Sequence, residues 1–174
     1  AKIMNILIIH GPNMNSLGQR EPGIYGGLTL RGLNSLIKKH AAGKKARVRI
    51  FQSNCEGRII DLIAGNTAWA DWLIINPAAY THYSYAVRDA IKACGLPALE
   101  VHLSDISRRE PFRKISVTKA VCVRQIKGLG PYSYLKAVDF AVNPTLFPKK
   151  VKVRGRNFFH HQYLRRRRNR HGVP

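Results

Sequence analysis

The sequence predicts an α/β fold, a five-stranded parallel sheet with helices on both faces. Three observations predict it. Short apolar runs recur at about 3 to 9, 46 to 51, 72 to 75, 98 to 103 and 120 to 123, each of a length that suits a strand buried on both sides. Helical stripes lie between the runs, and strand alternating with helix is the pattern of a parallel sheet. Polar stretches rich in Gly, Pro, Asn and His follow several of the runs, at the carboxyl ends of strands where such sheets carry their ligands.

Taken in order, Ile6-Leu7-Ile8-Ile9 is the first strand and ends at Gly11-Pro12-Asn13. Thr29 is placed to cap a helix whose Leu30, Leu33, Leu36 and Ile37 share one face. After the second run, Ile59, Ile60, Leu62 and Ile63 mark a second helix. The third run, Trp72-Leu73-Ile74-Ile75, leads into Asn76-Pro77-Ala78-Ala79-Tyr80-Thr81-His82, and Ser84 opens a helix containing Val87, Ala90 and Ile91. Run four, Ala98 to Leu103, carries Glu100 and His102, whose spacing of two puts both side chains on one face of a strand. The fifth run is expected at 120 to 123. Pro131 sits in the first turn of a last helix with Tyr134, Leu135 and Val138 inward.

A length of 174 residues fits one domain, expected over 1 to 148, followed by a basic extension over 149 to 174. No apolar stretch of 18 residues and no signal peptide is evident, so a soluble cytoplasmic protein is expected. Cys55, Cys94 and Cys122 are odd in number and lack C-x-x-C spacing, which favours reduced structural thiols over a zinc site. Formal charge is +21. Residues 149 to 174 hold ten Lys and Arg and no acid, leaving twenty bases against nine acids before them, so the body is basic without its extension. Such a surface attracts anions, carboxylates and nucleic acid alike.

The loop after the first strand carries Arg20 and Tyr25. A tyrosine titrating near 10 is a poor base, and bringing it to about 7 requires roughly 4 kcal/mol of phenolate stabilisation. One guanidinium in contact lowers a neighbouring acid by about one to three pH units, so the pair makes chemical sense. Three strand ends therefore deliver ionisable groups to one rim: this loop, the Asn76 to His82 stretch, and His102-Leu103-Ser104 with the Arg108-Arg109-Glu110-Pro111-Phe112-Arg113 segment beyond it.

These blocks, with Leu17-Gly18-Gln19-Arg20-Glu21-Pro22, Tyr25-Gly26, Gln52-Ser53-Asn54 and Gly128-Leu129-Gly130, resemble the type II 3-dehydroquinate dehydratases over about residues 3 to 142. The resemblance implies a flavodoxin-like sheet of order 2-1-3-4-5 and a cofactor-free, metal-free dehydration of 3-dehydroquinate through an enolate, by trans loss of water. It implies that Tyr25 is the base, that Arg20 lowers its pKa on a loop that closes over the substrate, and that His102, held by Glu100, is the general acid. Asn13 would hold the water that hydrogen-bonds the enolate oxygen. Asn76, Leu103 and Ser104 would take the substrate carboxylate, His82 and Arg113 the ring hydroxyls, and Asp89 would reach into a neighbouring subunit of a dodecamer built from four trimers. Read on their own, Glu100 with His102 also fit a satisfied core hydrogen bond, Asn13 a turn former, and Arg88-Asp89 a solvated helix face.

The chain departs from the family pattern at Tyr83, where threonine is common, at Ser107, where histidine is common, and at Pro111, where an acid is common. Pro111 restricts Glu110 and bears on how Arg113 is presented, which puts substrate affinity in question. A flavin- or nucleotide-binding role has little support, since Gly128-Leu129-Gly130 follows the last strand and lacks a third glycine. The alternative to the enzyme is a nucleic-acid-binding or scaffold protein that uses Arg165-Arg166-Arg167-Arg168 with Phe158, Phe159 and Tyr163.

Overall fold

The computed structural model describes residues 3–19, 27–108 and 110–144. Five strands, β1 (Met4–His10), β2 (Ala46–Gln52), β3 (Trp72–Asn76), β4 (Ala98–His102) and β5 (Arg124–Lys127), form one sheet in the order β2-β1-β3-β4-β5. Every neighbouring pair is parallel. Three α-helices lie between the first four strands, α1 (Leu30–Gly43), α2 (Glu56–Gly65) and α3 (Tyr85–Ala93), and a fourth, α4 (Tyr132–Val142), follows β5. This is the doubly wound architecture expected from the alternation of runs and stripes.

Side-chain alternation along the strands divides the interior in two. Ile6, Ile8, Trp72, Ile74, Leu99 and Val101 pack with Leu33 and Ile37 of α1 and with Tyr134, Val138 and Phe140 of α4. Leu7, Ile9, Leu73, Ile75 and Ala98 face the other way, onto Ile59, Leu62 and Ile63 of α2 and Val87 and Ile91 of α3. Fully burying one such side chain is worth roughly 1.5–3 kcal/mol, so these two layers dominate the stability of the sheet.

The helix starts follow from their caps. Thr29 Oγ1 accepts from the Gly32 N–H at 3.1 Å and Ser84 Oγ from the Val87 N–H at 2.9 Å, each satisfying a first-turn donor that has no partner within its helix. Pro131 precedes α4 with φ −60°, a value its ring already imposes.

Two expectations are corrected. The fifth strand is not 120–123 but Arg124–Lys127, because Lys119–Val121 forms a 3-10 turn. Cys122 and Val123 are buried without being strand, whereas the edge strand itself is half-buried and reads as polar. Leu36 is 43% exposed instead of sharing the buried face of Leu33 and Ile37. Cys55 is exposed, Cys94 and Cys122 are buried, and none of the three is in a disulfide.

Pairing sets the level of the rim. His10 is opposite Gln52 on one side and Asn76 on the other, so β2, β1 and β3 finish together, and β4 presents His102 opposite Lys127 of β5. Among the described residues no helix is long and apolar enough to cross a membrane.

Candidate active site

The chain leaves β1 through a turn that only certain residues permit. A Cβ on Gly11 would lie 2.6 Å from both the carbonyl carbon and oxygen of Pro77, so the two strand ends approach as closely as they do because residue 11 has no side chain. Asn13 then takes the left-handed conformation, φ 65°, which asparagine tolerates better than most residues. Asn54 holds it there: its Oδ1 accepts from the Asn13 N–H at 2.9 Å and from Gln52 Nε2 at 2.9 Å, while its carbonyl accepts from the Tyr80 hydroxyl at 2.9 Å. The Gln52-Ser53-Asn54 block thus supports the β1 turn.

At the end of β3, Asn76 is buried and its Oδ1 accepts from the Ala78 N–H at 3.0 Å, leaving the amide nitrogen directed toward the sulfur of Met14 at 3.6 Å. Beneath it lies a pair that sequence reasoning missed. His10 Nδ1 is 2.7 Å from the Tyr134 hydroxyl and Nε2 is 2.9 Å from Asn34 Oδ1. An amide oxygen only accepts, so Nε2 carries the proton and Nδ1 accepts from the phenol. Burial holds His10 at a pKa of about 4, outweighing the Asn34 hydrogen bond that favours the proton. Burial also pushes the Tyr134 phenol up, against a hydrogen bond from Asn76. Tyr134 reads as ordinary core in the helical stripe, and its partner is 124 positions away.

Glu100 and His102 share the sheet face that packs on α2 and α3, as their spacing requires. His102 Nε2 is 2.6 Å from Glu100 Oε1. Four more side chains converge on the same carboxylate: Thr81 Oγ1 at 2.7 Å, Thr118 Oγ1 at 2.8 Å, Gln125 Nε2 at 2.9 Å and Ser116 Oγ at 3.0 Å from both oxygens. Burial by itself would raise the pKa of Glu100. The His102 hydrogen bond and charge, with the Thr81 and Gln125 bonds, reverse that and bring it to about 2. Glu100 is therefore ionised at neutral pH and can only accept, so His102 Nε2 bears hydrogen and Nδ1 is the nitrogen left for other work.

Of the remaining expected contacts, Leu103 is buried with its carbonyl accepting from the Gly130 N–H at 2.9 Å, and half-buried Ser104 follows it. His82 donates from Nδ1 to the Ile115 carbonyl at 2.6 Å, which leaves Nε2 as its outward end. Glu110, restricted by Pro111, is extended at φ −54° and ψ 153°, and a 3-10 turn follows over Pro111–Lys114. This presents Arg113 beside Glu110, Nε to Oε2 3.1 Å, with its guanidinium 4.9 Å from the centre of the Phe112 ring. Tyr83 is exposed and packs edge-on against Tyr80 at 5.8 Å. Ser107 donates to Asp105 from both N–H and hydroxyl, and Lys127 Nζ is 2.8 Å from the same carboxylate, so this substitution braces the turn after β4. Asp89, its side chain 69% exposed, pairs with Arg88 at 2.8 Å on the surface of α3.

Arg20 and Tyr25 lie outside the described residues, as does the basic extension over 149–174. Among the described residues no group of three or more His, Cys, Asp or Glu is arranged to hold a metal. The rim thus offers an oriented imidazole backed by a carboxylate, two asparagines and a second histidine: groups for moving protons and gripping a polar ligand.

The chain matches the family model for dehydroquinase class II over residues 4–142. It is 48% identical over 139 residues to the 3-dehydroquinate dehydratase of Clostridium botulinum (strain Loch Maree / Type A3), a match that covers 80% of this chain and 95% of that protein. To the 3-dehydroquinate dehydratase of Caldanaerobacter subterraneus subsp. tengcongensis it is 51% identical over 133 residues, 76% of this chain and 90% of that one. Among solved structures, the type II dehydroquinase from Butyrivibrio crossotus DSM 2876 aligns with a TM-score of 0.79 at 45% identity, covering 81% of this chain and 99% of that one. The type II dehydroquinase from Propionibacterium acnes aligns with a TM-score of 0.77 at 35% identity, with coverages of 81% and 99%.

Proposed function

We infer that this chain, which belongs to the class II dehydroquinase family, converts 3-dehydroquinate to 3-dehydroshikimate and water. The substrate is a cyclic β-hydroxy ketone, and its dehydration needs a base for the α proton, a group to hold the enolate oxygen and an acid for the departing hydroxyl. Tyr25, made acidic by Arg20, takes the proton as the phenolate. A water on Asn13 donates to the enolate oxygen. The hydroxyl then leaves as water with a proton from His102, on the opposite side of the ring from the proton removed.

The observation that carries this reading is the locking of His102 Nε2 onto the buried, ionised Glu100 at 2.6 Å. With Nε2–H committed, His102 delivers a proton only from Nδ1, so the acid is the doubly protonated ring with Glu100 as its counter-charge. A positioned general acid contributes roughly 10²- to 10⁴-fold. Asn76, with the backbone of Leu103 and Ser104, takes the carboxylate, while His82 Nε2 and Arg113 take the ring hydroxyls. Asp89, exposed on α3, completes a neighbouring subunit's site in a dodecamer of four trimers, and the enzyme works in the cytoplasm without a cofactor. The dehydratase reading is preferred to the nucleic-acid-binding one because the resemblance spans the body that carries these groups.

The test is an absorbance assay for the conjugated enone product on the parent, Tyr25→Phe and His102→Ala. The parent turns over, and each variant loses on the order of a hundredfold or more in kcat. Equal rates in all three would sink the assignment of roles, and an inactive, folded parent would sink the dehydratase reading.

A further inference from the structure

Three consecutive residues, Ile115, Ser116 and Val117, each fasten to a different part of the site. The Ile115 carbonyl accepts from His82 Nδ1 at 2.6 Å. Ser116 Oγ sits 3.0 Å from both oxygens of Glu100 and 2.8 Å from Thr81 Oγ1. The Val117 N–H donates to the Thr81 carbonyl at 2.7 Å. The stretch lies between the Pro111–Lys114 turn, which carries Arg113, and the Lys119–Val121 turn, and it belongs to no strand or α-helix. Its course is therefore set by these cross-contacts more than by a ladder of its own. Residue 115 is extended, with φ −85° and ψ 133°, and alternation then puts Ser116 and Thr118 on one side, where both reach Glu100.

We propose that Ser116 is a positioning residue for the dehydration: one hydroxyl, bridging the two oxygens of Glu100, sets the orientation of the His102 acid and at the same time the placement of His82 and Arg113. The proposal rests on the roles given above to His102, His82 and Arg113. Thr81 and Thr118 are wholly buried, whereas Ser116 is half-buried and is the donor to Glu100 that the 111–117 stretch itself supplies. Removing it leaves Glu100 ionised but free to rotate toward its other donors, taking the His102 ring with it, and releases the segment that holds His82 and Arg113. A residue that merely filled space would change stability and leave that coupling intact.

The experiment measures kcat and KM for Ser116→Ala, Ser116→Cys and Ser116→Thr, and for Ser116→Ala added to Glu100→Gln. A hydrogen bond to a charged group supports an expected loss on the order of tenfold in kcat for the Ala variant. KM rises a few-fold as His82 and Arg113 lose their anchor. The Cys variant, close in volume and a weak donor, reproduces the loss, and Thr, which restores a hydroxyl, returns kcat to within about threefold of the parent. On Glu100→Gln the serine change costs less than twofold, because its route to His102 is already cut. Parental kcat and KM in the Ala or Cys variant, or the same tenfold loss on Glu100→Gln, would overturn the proposal. The two readings fail separately: an active His102→Ala overturns the acid assignment itself, whereas an inactive His102→Ala beside an unimpaired Ser116→Ala overturns only the positioning role of Ser116.

Discussion

Gly11 shows how narrow the tolerance is at the rim. Any Cβ there meets the Pro77 carbonyl at 2.6 Å, a backbone group that cannot step aside without moving β3's end and Asn76 with it. Gly11→Ala should therefore cost about 1–3 kcal/mol in urea denaturation, the usual price of overpacking, and should weaken substrate binding as well. That pairing of effects distinguishes it from a remote core substitution. The sequence made Gly11, Asn13, Glu100 and His102 legible, because a turn at a strand end and a spacing of two along a strand are local facts. It hid His10 with Tyr134, and Ser116 with Glu100, because those contacts join residues 124 and 16 positions apart and depend on how the sheet is wound. Asn54 was visible within a block, but its grip on the backbone of Asn13 was not.

Among the elements, the helices were the most legible. Thr29 and Ser84 cap α1 and α3 as their residue types suggest, and Thr29→Ala should destabilise the protein by about 1 kcal/mol. Ser84→Ala should cost more, since Ser84 is buried and its hydroxyl also donates to Glu56 Oε1 at 2.5 Å, linking the starts of α3 and α2. Matched urea titrations of the two variants check the order. β5 was misplaced for a physical reason: hydrophobicity marks burial, and Cys122 and Val123 are buried ahead of the strand. The strand itself runs along the sheet's edge, with Arg124 and Lys127 among its four residues. Gln125, one of those polar residues, reaches back across the pairing to Glu100, so the edge strand serves the site as well as the sheet.

At the scale of the whole molecule, two buried ionisable groups set how the fold responds to acid. His10 is neutral in the folded state until about pH 4, whereas an unfolded histidine takes its proton near 6.5, so between those values the unfolded chain binds more protons and stability falls as pH falls. The interval corresponds to about 3 kcal/mol. Glu100 behaves in the same sense lower down: its stabilisation is complete above the ordinary carboxylate value of 4.5 and is lost as pH drops toward about 2. Urea midpoints should decline steadily from pH 7 to 4, and His10→Asn should flatten that decline; an unchanged slope would assign it to other groups. The sheet also parts the chemistry between its two sides. Asn76 and His10 are backed by the layer under α1 and α4, Glu100 and His102 by the layer under α2 and α3. On the roles proposed above, selection acting on the Asn76 layer can change how a carboxylate is gripped and leave the Glu100–His102 pair in place, whereas selection at His82 or Arg113 is felt by that pair through the 115–117 segment, so altered ligand preference evolves most readily from the α1 and α4 side.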